Sequence, residues 1–163
     1  MNPFRRLFDR VANALIAHAR RRPPDFVVGG KTYPYLRRWW LIPRNPVFNV
    51  YLHQFLRDDD DRALHDHPWF WCSILLHGGY IEHTRDWFAG RYAPSVKLSS
   101  PWRPHRIELF GDDENHRIPS WTLFLTGPRL REWGFHCPGR GWVHWRDFTR
   151  ADDPGSIGKG CDQ

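Results

Sequence analysis

Nowhere does the sequence carry an uncharged apolar run long enough to cross a bilayer. Its most apolar stretch, residues 68–81, is short and is interrupted by His77, Gly78 and Gly79, so no membrane span is expected. Cysteine is sparse and odd in number: Cys72, Cys137 and Cys161 form no CxxC pair, and a structural zinc knuckle is not expected. No apolar leader precedes them, because the N-terminus is Arg-rich and amphipathic, and the expected location is a reducing cytoplasm. Lysine is scarce, three residues against 21 arginines, and arginine favours bidentate contacts with carboxylates or phosphates. There is no nucleotide-binding glycine loop, no Ser/His/Asp set and no nucleic-acid module. Aromatic residues are abundant instead: 16% of 163 residues, ten of them Trp, in a chain of one-domain length. Such rings belong to a packed barrel or an aromatic-lined cavity rather than to a disordered chain.

Charge divides the chain. Residues 1–57 hold eleven Lys/Arg against two acids (Asp9 and Asp25), and the remainder thirteen against sixteen, for a net +6 overall. The basic part reads as a solvated or subunit-facing surface, consistent with a homodimer, ahead of a nucleic-acid or anionic-membrane surface.

Asn2-Pro3 caps a helix in which Phe4, Leu7, Phe8, Val11 and Leu15 recur at helical spacing. Arg20–Arg22 suit its negative end, and Pro23-Pro24 stops it. From there the signal is β. Runs over 35–42, 47–57, 65–77, 80–87, 91–98, 105–110, 120–126, 132–136 and 142–148 are separated by Gly/Pro turns, and Gly78-Gly79 reads as a hairpin. The acidic run 58–61 reads as a solvated loop. The pattern predicts three parts: an N-terminal helix and linker over 1–30, a β-barrel over 31–150 and a flexible tail over 151–163. The fold class is all-β, an antiparallel sandwich or barrel.

The chemistry-bearing feature is His65-Asp66-His67. On a strand, positions i and i+2 share a side, so both imidazoles can enter one cavity. His105, opening an Arg-Ile-Glu-Leu strand after Pro104, is the candidate third metal ligand. With a hairpin at Gly78-Gly79, Leu75 would pair with Glu82 and set Glu82 on the same face, as a carboxylate ligand or a general acid/base. Arg129 and Arg131 share a parity beside the Gly127-Pro128 turn and are candidates for holding an anionic substrate, with Trp133 stacking on it and His136 nearby. The other histidines, His53, His83, His116 and His144, read as structural, although His53 lies in an aromatic-rich strand.

These motifs resemble the cupin superfamily, whose first motif sets HxH before an acidic residue and a glycine turn, and whose second supplies another His after a Pro/Gly turn. The resemblance spans about residues 47–148. The segments YLRRWWLIPRNPVFNVYLHQFLRDDDDRALHDHPW and WTLFLTGPRLREWGFHCPGRGWVHW also resemble a family of small bacterial and phage cupins that has no assigned reaction. The resemblance implies a double-stranded β-helix (jelly-roll) and one divalent transition metal on His65, His67 and His105.

The motif's glutamate position is filled by Trp71-Cys72. In this the chain is similar to cupins of the cysteine dioxygenase type, which hold ferrous iron on three histidines and carry a cysteine at the spacing of Cys72. The implied function is an iron-dependent dioxygenase on a small anionic substrate, with Cys72 and Glu82 as candidate catalytic groups. Zinc, manganese or nickel in an isomerase, hydrolase or lyase is the second reading, and a non-catalytic cupin that binds an anion or nucleic acid the third. Cys72 would need a bulge near Pro68 to turn inward; plain alternation turns Trp71 inward instead.

Overall fold

The computed structural model describes residues 2–30, 32–59, 63–113, 116–153 and 156–161. Helix α1 (Pro3–Ala19) starts as expected, with the Asn2 side chain accepting from the Phe4 N–H and proline in its first turn. Strands β1 (Phe26–Val28), β2 (Leu36–Trp40), β3 (Asn49–Phe55), β5 (Trp71–His77), β8 (Ser95–Ser99) and β10 (Ser120–Thr126) form one antiparallel sheet. Its order is β1-β2-β3-β10-β5-β8. Two three-stranded sheets make the opposite wall. The first is β12 (Gly141–His144), β11 (Gly134–Cys137) and β4 (Leu64–His65). The second is β7 (Phe88–Tyr92), β6 (Gly79–His83) and β9 (Arg106–Leu109). An antiparallel bridge between His65 and His105 joins these two. Two walls of antiparallel strands around one interior make the double-stranded β-helix expected of a cupin, with α1 added outside.

Period-2 alternation sorts the large sheet cleanly. Trp39, Leu52, Leu76 and Trp121 face outward and pack against Ala12, Ile16 and Ala19 of α1. Leu36, Phe55 and Leu75 face inward onto Tyr80, Ile107 and Leu109 of the opposite wall. The helix is rotated from the face its large residues suggest: Phe8 and Leu15 join the core, while Phe4, Leu7 and Val11 stay exposed. Small Ala12 and Ala19 allow the close approach that a face of large side chains would prevent.

Three expectations are corrected here. Gly78-Gly79 is no hairpin: β5 pairs with β10 and β8, and β6 pairs with β7 and β9. Gly78, at φ +74, carries the chain from one wall to the other, where a Cβ would meet the Pro119 carbonyl at 2.8 Å. The run expected as one strand over 65–77 breaks around Pro68 into β4 and β5. The stretch expected as a loose tail is tied down. Cys161 forms a disulfide with Cys137, Arg150 N–H donates to Ser156 O, and Gly158 N–H donates to Phe148 O in the short helix α2 (Trp145–Phe148).

Candidate metal centre

His65 ends β4, His67 follows the buried Asp66, and His105 stands just before β9. The backbones of His65 and His105 exchange two N–H···O bonds of 2.9 Å, which fixes one ring against the other. Ring centroids lie 4.9 Å (His65–His105), 5.1 Å (His65–His67) and 5.2 Å (His67–His105) apart. The Nε2 atoms of His67 and His105 are 2.9 Å apart, and one nitrogen from each of the three rings lies within 4.8 Å of the others. This is the converging set that could hold a metal ion.

The donor set has the right chemistry. Burial, reinforced by neighbouring cationic groups, holds His67 and His105 well below the ordinary imidazole value, so both are neutral with a lone pair to give. Glu82 sits behind His105 rather than beside the converging nitrogens: its Oε1 is 2.8 Å from His105 Nδ1. A carboxylate there accepts a hydrogen bond from Nδ1–H, which keeps the proton on Nδ1 and leaves the lone pair of His105 Nε2 free toward the cavity, the usual outer support of a ligating imidazole. Glu82 is 1% exposed and its remaining capacity is taken by Arg91 Nε at 2.6 Å and by Lys97 Nζ. The reading of Glu82 as ligand or general acid/base therefore gives way to that of a carboxylate that orients His105. The hairpin argument that pointed to it was mistaken, yet β6 still lies beside β9.

Trp71, not Cys72, faces the histidines. Its ring stacks on His105 with centroids 5.1 Å apart and meets His67 edge-on at 5.4 Å. Plain alternation prevails, with no inward bulge, and Cys72 turns to the other face, paired with Leu125 and Leu98, its thiol pKa raised by burial.

The Arg/Trp segment divides. Arg129 is exposed and ion-paired with Glu132. Arg131 and His136 both reach Asp66, whose Oδ2 accepts from Arg131 Nη1, His136 Nε2 and Trp142 Nε1 at 3.0 Å each. Its Oδ1 accepts from the Gly134 N–H at 2.9 Å. Because Arg85 donates to His136 Nδ1, the proton on Nε2 goes to Asp66. Asp66 lies between the two metal-site histidines and so points the other way; Arg131 and His136 serve that buried carboxylate, on the side away from the cavity. Only Trp133 of this group lines the cavity, stacked on Trp145 at 5.9 Å.

That cavity, of about 790 Å³, opens beside the three histidines. Sequence reasoning missed several of its groups: Arg38, His53, Asp59 and Tyr35. Asp59 Oδ2 accepts from the Ile107 N–H at 2.6 Å and lies 3.6 Å from His65 Nδ1. Burial and then the charge of Asp59 raise the Tyr35 hydroxyl well above the ordinary phenol value. The parity of Arg38 and Trp40 on one strand with Tyr51, His53 and Phe55 on the next was the available signal.

Fold and site together define a double-stranded β-helix barrel with a candidate three-histidine metal centre. No family model and no curated protein matches the sequence. Among solved structures, the chain is similar to the DMSP lyase DddQ from Ruegeria pomeroyi DSS-3 at 14% identity and TM-score 0.49, over 64% of this chain and 52% of that one. It is also similar to a double-stranded β-helix protein from Klebsiella pneumoniae (13% identity, TM-score 0.48, 67% and 90% coverage). A third is a cupin superfamily protein from Desulfitobacterium hafniense (11% identity, TM-score 0.46, 63% and 84% coverage). The chain spans about half the length of the Ruegeria lyase.

Proposed function

We propose that this chain is a metal-dependent enzyme acting on a small anionic molecule in the barrel cavity, with His65, His67 and His105 as the ligands of one divalent transition metal. The observation that carries the reading is the convergence of three imidazoles, two of them held neutral by burial, on one point at the cavity wall. Three neutral ligands leave the charge of a divalent ion uncompensated and positions open for substrate. Such an ion, when bound, supplies a Lewis acid and, if it is iron, a redox centre for oxygen.

Ferrous iron and an oxygenase reaction are the first choice, because no carboxylate enters the ligand set and several positions stay open. The protein's own part is to hold the His105 ring through Glu82, to exclude water with Trp71 and the aromatic walls, and to orient the substrate. A lyase, isomerase or hydrolase reaction is the second choice, favoured by one observation: Asp59, 3.6 Å from His65 Nδ1, and Tyr35, hydrogen-bonded to Asp59, both line the cavity and could pass a proton to or from a substrate. Anaerobic reconstitution with iron, zinc, manganese or nickel, followed by turnover of a panel of small carboxylic acids with and without oxygen, separates the two. Turnover that needs iron and consumes oxygen supports the first. Turnover that persists without oxygen, or with zinc alone, moves the protein to the second.

A further inference from the structure

The alternation of β2 turns Arg38 into the cavity. Its Nε donates to His53 Nε2 at 2.8 Å, and its guanidinium lies 5.0 Å from the centroid of Tyr51. Among the described residues it makes no ion pair, and no carboxylate acts on it electrostatically. Burial holds its pKa down to about 10, so it remains a cation at neutral pH, and the like charge of Arg44 also acts to lower it. Arg44 also lines the cavity, lies 5.5 Å from the Trp40 centroid and has no ion pair among the described residues. A half-buried guanidinium with a like charge beside it and no counter-ion is costly unless a ligand supplies the anion.

The hydrogen-bonding balance of the cavity points the same way. Because Arg38 donates to His53 Nε2, the imidazole proton must sit on Nδ1, which is buried without an acceptor among the described residues. Among the described residues that line the cavity the only acid is Asp59, already accepting from Ile107. Against that one acid, Arg38, Arg44, Arg146 and Arg150 line the cavity, and aromatic rings wall it. Within it, Arg38 and His53 both lie within electrostatic reach of His67.

We propose that Arg38, braced by His53 and flanked by Arg44, seats the carboxylate of a small monocarboxylic acid whose flat apolar body lies against the aromatic walls, oriented toward His65, His67 and His105. The planar guanidinium fork matches a carboxylate, and apolar walls favour a monoanion over a doubly charged phosphate. This seat replaces the one expected at Arg129 and Arg131. It rests on the reading of the cavity as the substrate site, but its test does not need metal or turnover.

Benzoate, benzamide, acetate and inorganic phosphate would be titrated into the full chain, chelator-treated and metal-loaded, by calorimetry and tryptophan fluorescence. In metal-free wild type, benzoate should bind about tenfold or more tighter than neutral benzamide or bodyless acetate. Arg38→Gln should weaken benzoate by about thirtyfold or more, with the circular dichroism spectrum and metal content unchanged. No binding of benzoate, equal binding of benzoate and benzamide, displacement of benzoate by phosphate at lower concentration, or undiminished binding by folded Arg38→Gln would each overturn the proposal. Should Arg38→Gln fail to fold, the benzoate–benzamide comparison on wild type and the loss expected in Arg44→Gln decide. Charge discrimination in a protein that takes up no metal leaves the anion seat standing and removes the metal reading. Metal uptake without discrimination does the reverse.

Discussion

Glu82 is the residue whose position does most to define the centre. With His105 on one oxygen and Arg91 on the other, its carboxylate is consumed before any metal arrives. Glu82→Gln keeps the shape but can present its NH2 to His105, losing the acceptor that fixes the Nδ1–H tautomer. Metal affinity should fall about 10- to 100-fold, measured by competition with a chromophoric chelator; unchanged affinity would mean that Glu82 does not orient His105. The neutral imidazoles also make a pH prediction. Burial lowers His53, His67 and His105 well below 6.5 in the folded state. As pH drops through about 6.5 the unfolded chain takes up protons that the folded chain refuses. Their contribution is therefore intact above that value and is lost below it, by about 1.4 kcal/mol per pH unit for each ring. Metal-free protein should melt at a clearly lower temperature at pH 5.5 than at pH 7.5; equal melting temperatures would contradict neutral burial. At this scale the sequence was most legible in the convergence of His65, His67 and His105, because the i, i+2 spacing of an extended segment and a post-proline position are local, even though β4 ends at His65. Arg38 and Asp59 were not legible, since their significance lies in which neighbours they lack or share across the barrel.

At the scale of elements, local signals placed most strands but could not name their partners. A glycine pair announces a sharp reversal without saying whether the chain folds back on itself or crosses to another sheet. One partner of β5 is β10, far along the chain, where Trp71 and Phe124 meet with ring centroids 5.3 Å apart. The same blindness misread Arg129 and Arg131: their shared parity was real, but Asp66 on the outer side of β4 claims Arg131 and leaves Arg129 at the surface. The C-terminal stretch makes a further prediction. The Cys137–Cys161 link closes a loop over a sequence separation of 24 around the cluster of Ala63, Val143 and Phe148. Cys161→Ser should lower unfolding free energy by about 3 kcal/mol, read by urea denaturation without reductant. No loss would show that the stretch contributes nothing to the fold. Glycine content and polarity alone gave no hint of this anchoring, because a disulfide partner cannot be read from spacing.

Over the whole molecule, two six-strand walls with opposite faces differently used explain the division of labour. The outer face of the large sheet is closed by α1, and the inner face is left to line a cavity with the three histidines on its wall. No helix among the described residues is long and apolar enough to cross a membrane. The barrel frame was legible from strand count and turn spacing; the cavity was not, because its volume depends on how far the two walls stand apart. The most direct test of the metal centre is elemental analysis of protein purified without chelator, in wild type and in a His65→Ala, His67→Ala double variant of unchanged fold. Wild type should carry about one transition-metal ion per chain, and the double variant should carry none. Equal metal content in the two proteins, or none in wild type even after reconstitution, would contradict a centre built on His65, His67 and His105.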